Sequence, residues 1–106
     1  MNWIVLTDYS QIHEALEKSE SFLVFKHSTR CSISIMAKSR FERNFDLNDL
    51  QVFYLDLITY RSISDQLAVD FNVEHQSPQL LFVQKGVWIY HASHNAIDTE
   101  AIKAKL

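Results

Sequence analysis

The stretch Phe22-Leu23-Val24-Phe25-Lys26-His27-Ser28-Thr29-Arg30-Cys31-Ser32-Ile33-Ser34 decides how this chain reads. Its first four residues are bulky and apolar, the pattern of a buried strand. A polar turn follows, and beyond Cys31 the apolar residues return at helical spacing. The only thiol of the 106-residue chain therefore falls where a strand hands over to a helix. Backbone N–H groups at a helix N-terminus have no intrahelical partner, and the macrodipole is positive there, so an anion such as a thiolate is favoured. Lys26, His27 and Arg30 add basic character close to the thiol in sequence.

Working outward, residues 3–6 suit a short strand, and Thr7 or Asp8 can cap a helix over 9–18 with Ile12, Ala15 and Leu16 on one face. Residues 22–27 form the second strand. A helix is expected from Cys31 to about residue 45, packing through Ile35, Ala37 and Phe41. Residues 52–57 read as a strand and 63–71 as a helix with Ile63, Leu67 and Phe71 inward. Gln76-Ser77-Pro78 breaks the pattern, and Leu80-Leu81-Phe82-Val83 resumes it as a buried strand. Lys85-Gly86 makes a tight turn into Val87–His91, closing a hairpin. Asp98 caps a last helix whose apolar side is Ile97, Ala101, Ile102 and Leu106. The order β-α-β-α-β-α-β-β-α predicts an α/β fold: a mixed central sheet with an antiparallel edge and helices on both faces.

Composition narrows the function. Hydrophobic residues make up 47% and aromatics 12%, enough for one packed core, and no linker, repeat or low-complexity segment divides the chain, so residues 1–106 are one domain. The net charge of −3 comes without a basic patch, which argues against nucleic acid. The apolar runs are too short to span a bilayer, so no membrane partner is expected. Met1-Asn2-Trp3-Ile4 has neither the basic region nor the long apolar stretch of a signal peptide. One cysteine cannot make an internal disulfide, which fits a reducing compartment; a cytoplasmic protein is expected.

Two local features then meet: a Cys that opens a helix after the second strand, and Ser77-Pro78 directly before a buried strand. Thioredoxin-like domains share this layout. Cys31-Ser32-Ile33-Ser34 resembles the Cys-Pro-Ile-Ser motif of the monothiol bacilliredoxins, the thioredoxin-like family of the bacillithiol system. Lys26-His27-Ser28, His75-Gln76-Ser77-Pro78-Gln79 and Ser93-His94 with Ile97 resemble further segments of that family, in the same order and over nearly the whole chain. The resemblance implies a thioredoxin-like fold, Cys31 as nucleophile, and a cis bond before Pro78 that presents the Ser77 backbone to a disulfide substrate. The base rate of X–Pro bonds, only about 5–6% cis in folded proteins, points the other way. Ser32 departs from the family pattern by standing where Pro is usual, and it keeps an N–H that Pro lacks.

The chemistry follows from the residue types. A thiolate attacks one sulfur of a mixed disulfide, and the adduct remains on Cys31. Ser34 has no thiol to resolve it, so an external thiol is required. By resemblance that co-substrate is bacillithiol, no bound cofactor is expected, and the partners are bacillithiolated cytosolic proteins. Thr29, Arg30, Ser34, Ser77 and Pro78 are the candidate substrate-binding residues, with Thr29 lining the entrance and Ser34 donating to the thiolate. The alternatives are an inert Cys31 in a non-catalytic adaptor, or an iron–sulfur carrier using paired monothiols. His27, His75 and His94 have structural hydrogen bonding as their plain reading. His91 and His94 do not read as metal ligands: three apart on a strand, they face opposite ways, and no second thiol is at hand. Arg61 can steer an anionic thiol or be a simple surface charge, and Trp88 and Tyr90 suit hairpin packing.

Overall fold

A computed structural model describes residues 1–18, 20–47, 49–85 and 87–106. The elements are β1 (Trp3–Val5), α1 (Ser10–Glu17), β2 (Phe22–His27), α2 (Ser32–Asn44), β3 (Gln51–Asp56), α3 (Arg61–Asp70), β4 (Gln79–Gln84), β5 (Val87–Ser93), a single 3₁₀ turn (His94–Ala96) and α4 (Thr99–Lys103). The strands lie in the order β1-β3-β2-β4-β5. β1, β3 and β2 run parallel; β4 is antiparallel to β2, and β5 to β4. The predicted mixed sheet with its antiparallel edge is thus the observed one.

β2 lies between β3 and β4, and all six of its residues are buried. Because successive side chains alternate, it feeds two cores. Phe22 and Val24 pack with Ile12 and Ala15 of α1 and Ile63 and Leu67 of α3. Leu23 and Phe25 pack on the other face with Ala37 and Phe41 of α2 and Ile102 of α4. Phe41 is held among rings, its centroid 5.4 Å from Phe25, 5.2 Å from Phe45 and 5.9 Å from Trp3.

Several details differ from the sequence reading. Ile35 is exposed; the buried stripe of α2 is Ser34, Ala37 and Phe41, and Ile35 stands one position, about 100° round the helix, from Ser34. Leu106 is exposed because α4 ends at Lys103. Tyr9 precedes α1 without a side-chain cap; Asp8 instead accepts from the Ser10 N–H at 2.8 Å, and Gln11 Oε1 takes the Thr7 and Asp8 N–H groups at 2.8 and 3.0 Å. Asp98 caps α4 as predicted, accepting from the Glu100 N–H at 3.0 Å. The turn predicted at Lys85-Gly86 falls partly on Gly86, which lies outside the described residues; Lys85 has φ of 54°. The side chains of Trp88 and Tyr90 also lie outside the description.

Candidate active site at the end of the central strand

The C-terminal end of β2 fixes the site. Ser28, Thr29 and Arg30 turn the chain, and the Cys31 N–H donates to the Ser28 carbonyl at 3.2 Å. Cys31 is extended (φ −108°, ψ 118°) and immediately precedes α2; its carbonyl accepts from the Ile35 N–H at 3.0 Å, closing the first helical turn. Cys31 is therefore the N-cap residue of α2, its thiol making no capping hydrogen bond, at the helix end where anions are favoured. It is free and only half-buried. Thr29 and Arg30 beside it are exposed.

Ser34 sits differently. It is fully buried, accepts from the Ser28 N–H at 3.0 Å, and lies 2.7 Å from His27 Nδ1. The hydroxyl thus staples the turn to the first turn of α2. Burial pushes the His27 imidazole below its ordinary value, the Lys38 charge adds to this, and Asp56 and Glu42 oppose it. His27 is held as a neutral ring, and its role in the structure is the hydrogen bond that was its plain reading.

The three basic residues do not converge on the thiol. Lys26 and His27 leave β2 on opposite faces, and Lys26 lies in the α1/α3 layer with its Nζ 3.5 Å from His75 Nδ1. Arg30 alone of the three is exposed on the loop. Arg61 pairs with Asp65 at 3.2 Å on the surface of α3.

The proline segment reaches the same end of the sheet. Gln79 is the register partner of Lys26, so the residues just before Gln79 lie beside the end of β2. The Ser77–Pro78 peptide bond is cis. Pro78 is buried and Ser77 partly so. The Pro78 carbonyl accepts from the His94 N–H at 3.2 Å, and the His94 carbonyl accepts from Arg40 of α2 at 3.2 Å. His94, at φ of 54°, thereby joins the proline segment to the helix that Cys31 begins. Three sequence segments far apart in the chain meet here: 27–34, 77–79 and 93–94.

Among the described residues no group of His, Cys, Asp and Glu is arranged to hold a metal ion, and no helix is long and apolar enough to cross a membrane. The residues that sequence reading missed are Ser64 and Gln79, both fully buried: Ser64 bonds His75, which also lies beside Lys26, and Gln79 donates to the Glu74 carbonyl. The available signal for Gln79 was a polar residue set directly before the apolar run Leu80–Val83, as Lys26 directly follows Phe22–Phe25; Ser64 carried none.

Residues 4–102 match a protein-family model described as "Monothiol bacilliredoxin BrxC". Among solved structures, the chain is similar to one described as having a thioredoxin fold, with 28% identity, a TM-score of 0.85, and coverage of 96% of this chain and 91% of that one. It also superposes on Trxlp from Edwardsiella tarda EIB202 (18% identity, TM-score 0.73, covering 99% and 98%). A third match is the thioredoxin Mala s 13 of Malassezia sympodialis (16% identity, TM-score 0.75, covering 99% and 90%). The last two likenesses are of fold.

Proposed function

The chain belongs to the monothiol bacilliredoxin family and has a thioredoxin fold, and from that premise we propose that it removes bacillithiol from mixed disulfides on cytosolic proteins. A role in thiol redox chemistry follows from family and fold together. The observation that carries the finer reading is a free, half-buried Cys31 at the N-cap of α2, with a hydroxyl in place of a thiol at Ser34.

The reaction has two exchanges. The Cys31 thiolate attacks the bacillithiol sulfur of the mixed disulfide; a new S–S bond forms on Cys31, the old one breaks, and the protein leaves as thiolate. A second bacillithiol, as thiolate, then attacks the adduct, releasing bacillithiol disulfide and regenerating Cys31. Each exchange conserves its disulfide count, so no further oxidant or reductant enters. Thr29 and Arg30 flank the entrance, and Ser77 and Pro78 form the edge along which an extended substrate lies.

The test is intact mass after mixing with bacillithiol disulfide. One adduct is expected, lost in Cys31→Ser, and released by excess bacillithiol. The same variant should fail to strip bacillithiol from a modified protein while keeping its fold. A fully active Cys31→Ser protein would end the proposal. Labelling that occurs only on unfolding would favour a non-catalytic adaptor.

A further inference from the structure

Beneath the segment that leads to Pro78 lies a cluster of buried polar side chains that the thiol exchange does not use. Lys26 of β2, Ser64 of α3 and Gln79 of β4 are each 0% exposed. Lys26 and Gln79 face each other across the antiparallel ladder, so both side chains leave the sheet on the face covered by α1 and α3. Lys26 Nζ lies 3.5 Å from His75 Nδ1, and Ser64 Oγ lies 2.9 Å from the same nitrogen. Gln79 Nε2 donates to the Glu74 carbonyl at 2.9 Å. Side chains from three elements thus tie down Glu74 and His75, just ahead of Ser77–Pro78.

These groups are costly to bury. Among the described residues no carboxylate lies within ion-pair distance of Lys26 Nζ, and Gln79 Oε1 is buried without a hydrogen-bond partner. The geometry also links two protons. An ammonium only donates, so beside a charged Lys26 the His75 Nδ1 must accept, and the ring hydrogen stands on Nε2. Beside a neutral Lys26, Nδ1 is free to carry the hydrogen and give it to Ser64 Oγ.

We propose that Lys26 and His75 together form a proton-bearing anchor that fixes the backbone before Pro78, which makes both of them positioning residues for the substrate edge. The proposal rests on the thiol-transfer reading of Cys31 above. Burial pushes the Lys26 amine down to about 8; the Arg61 charge acts in the same direction and Asp65 opposes it. Burial also lowers His75, aided by Lys26 and Arg61 and opposed by Asp65. The charged groups acting on the pair therefore come from α3, while Gln79 of β4 and Ser64 are neutral. The anchor loses its positive charge as pH rises through about 8.

The test is nitrogen-15 NMR of the histidines in the full chain from pH 6.5 to 10, joined to native-state amide exchange. His75 is expected to carry its hydrogen on Nε2 at pH 7 and to change tautomer with a midpoint near 8, a step absent in Lys26→Met. Protection of the Val73 and His94 amides, which donate to the Ala68 and Pro78 carbonyls on either side of the anchored segment, should fall about tenfold in that variant. Its kcat/KM for a protein mixed disulfide should fall by a similar factor, with the reaction of Cys31 toward a small aromatic disulfide unchanged. A His75 ring with its hydrogen on Nδ1 at pH 7, or Lys26→Met amides protected as in the wild type, overturns the anchor. If Lys26→Met does not fold, Ser64→Ala leaves Nδ1 to Lys26 alone and should move the midpoint upward; an unmoved midpoint overturns it equally. If ring and amides behave as stated but neither protein transfers thiol, the anchor stands and the thiol-transfer reading fails.

Discussion

His27 Nδ1 and Ser34 Oγ lie 2.7 Å apart in the interior, joining the last residue of β2 to the first turn of α2. The Ser28 N–H completes the staple at 3.0 Å from the same oxygen. Cys31 sits within the loop these bonds close, so the shape of the loop that carries the thiol depends on the Ser34 hydroxyl.

Replacing that hydroxyl gives the first prediction. Ser34→Ala leaves the buried His27 Nδ1 and the partly buried Ser28 N–H without their partner and should destabilise the protein by about 1–3 kcal/mol, read from the denaturant midpoint. Ser34→Cys places a second thiol on the same helix face, one turn from Cys31. On mild oxidation it should lose two hydrogens by intact mass, and its transfer activity should depend less on added bacillithiol.

Ser32 is the first helical residue, and Cys31 before it is already extended at φ −108° and ψ 118°, a conformation that residues preceding proline favour. Ser32→Pro should therefore fit without strain. It should raise stability by about 0.4–1 kcal/mol through the unfolded chain, and Cys31 should still take up one adduct. A fall in melting temperature would count against the helix-start geometry.

Stability should fall in mild acid. Burial is the leading cause that lowers both His27 and His75 below the ordinary 6.5. As pH falls, the unfolded chain binds these protons first, so the stability they contribute is complete above about 6.5 and is lost as pH drops through their folded values. Lys26 has the same sign at higher pH, its contribution being complete above 10.5 and lost as pH falls through about 8. Urea midpoints should rise from pH 5 to pH 7, with a shallower rise in His27→Phe. Equal midpoints in the two proteins at every pH would refute a buried neutral His27.

Phe41 gathers Trp3, Phe25 and Phe45 around one ring and is 2% exposed. Phe41→Ala should cost about 3–5 kcal/mol by chemical denaturation. Because Phe41 belongs to the helix that Cys31 begins, adduct formation in the variant should become sensitive to temperatures the wild type tolerates.

The strands and helices were legible because their signals are local. The apolar run at 22–25 marked β2, whose observed bounds, Phe22–His27, coincide with the expected 22–27. Expected and observed bounds of β3 and α3 differ by one or two residues, as frayed ends do. Ile35 shows where local reading stops. Ile33, Ile35 and Met36 offer several apolar stripes on α2, and only the seating of the helix on the sheet selects the one through Ser34, Ala37 and Phe41.

By itself, the sequence determined the alternation of elements, the position of a lone thiol at a strand–helix boundary, and the absence of a resolving thiol at Ser34, since each depends on neighbours within a turn or two of chain. Only the tertiary structure decided that Lys26 turns to His75, 49 residues away, while His27 turns to Ser34. Adjacent residues of a strand face opposite layers, and what each meets there is set by which helices cover the sheet, a choice made when distant segments pack.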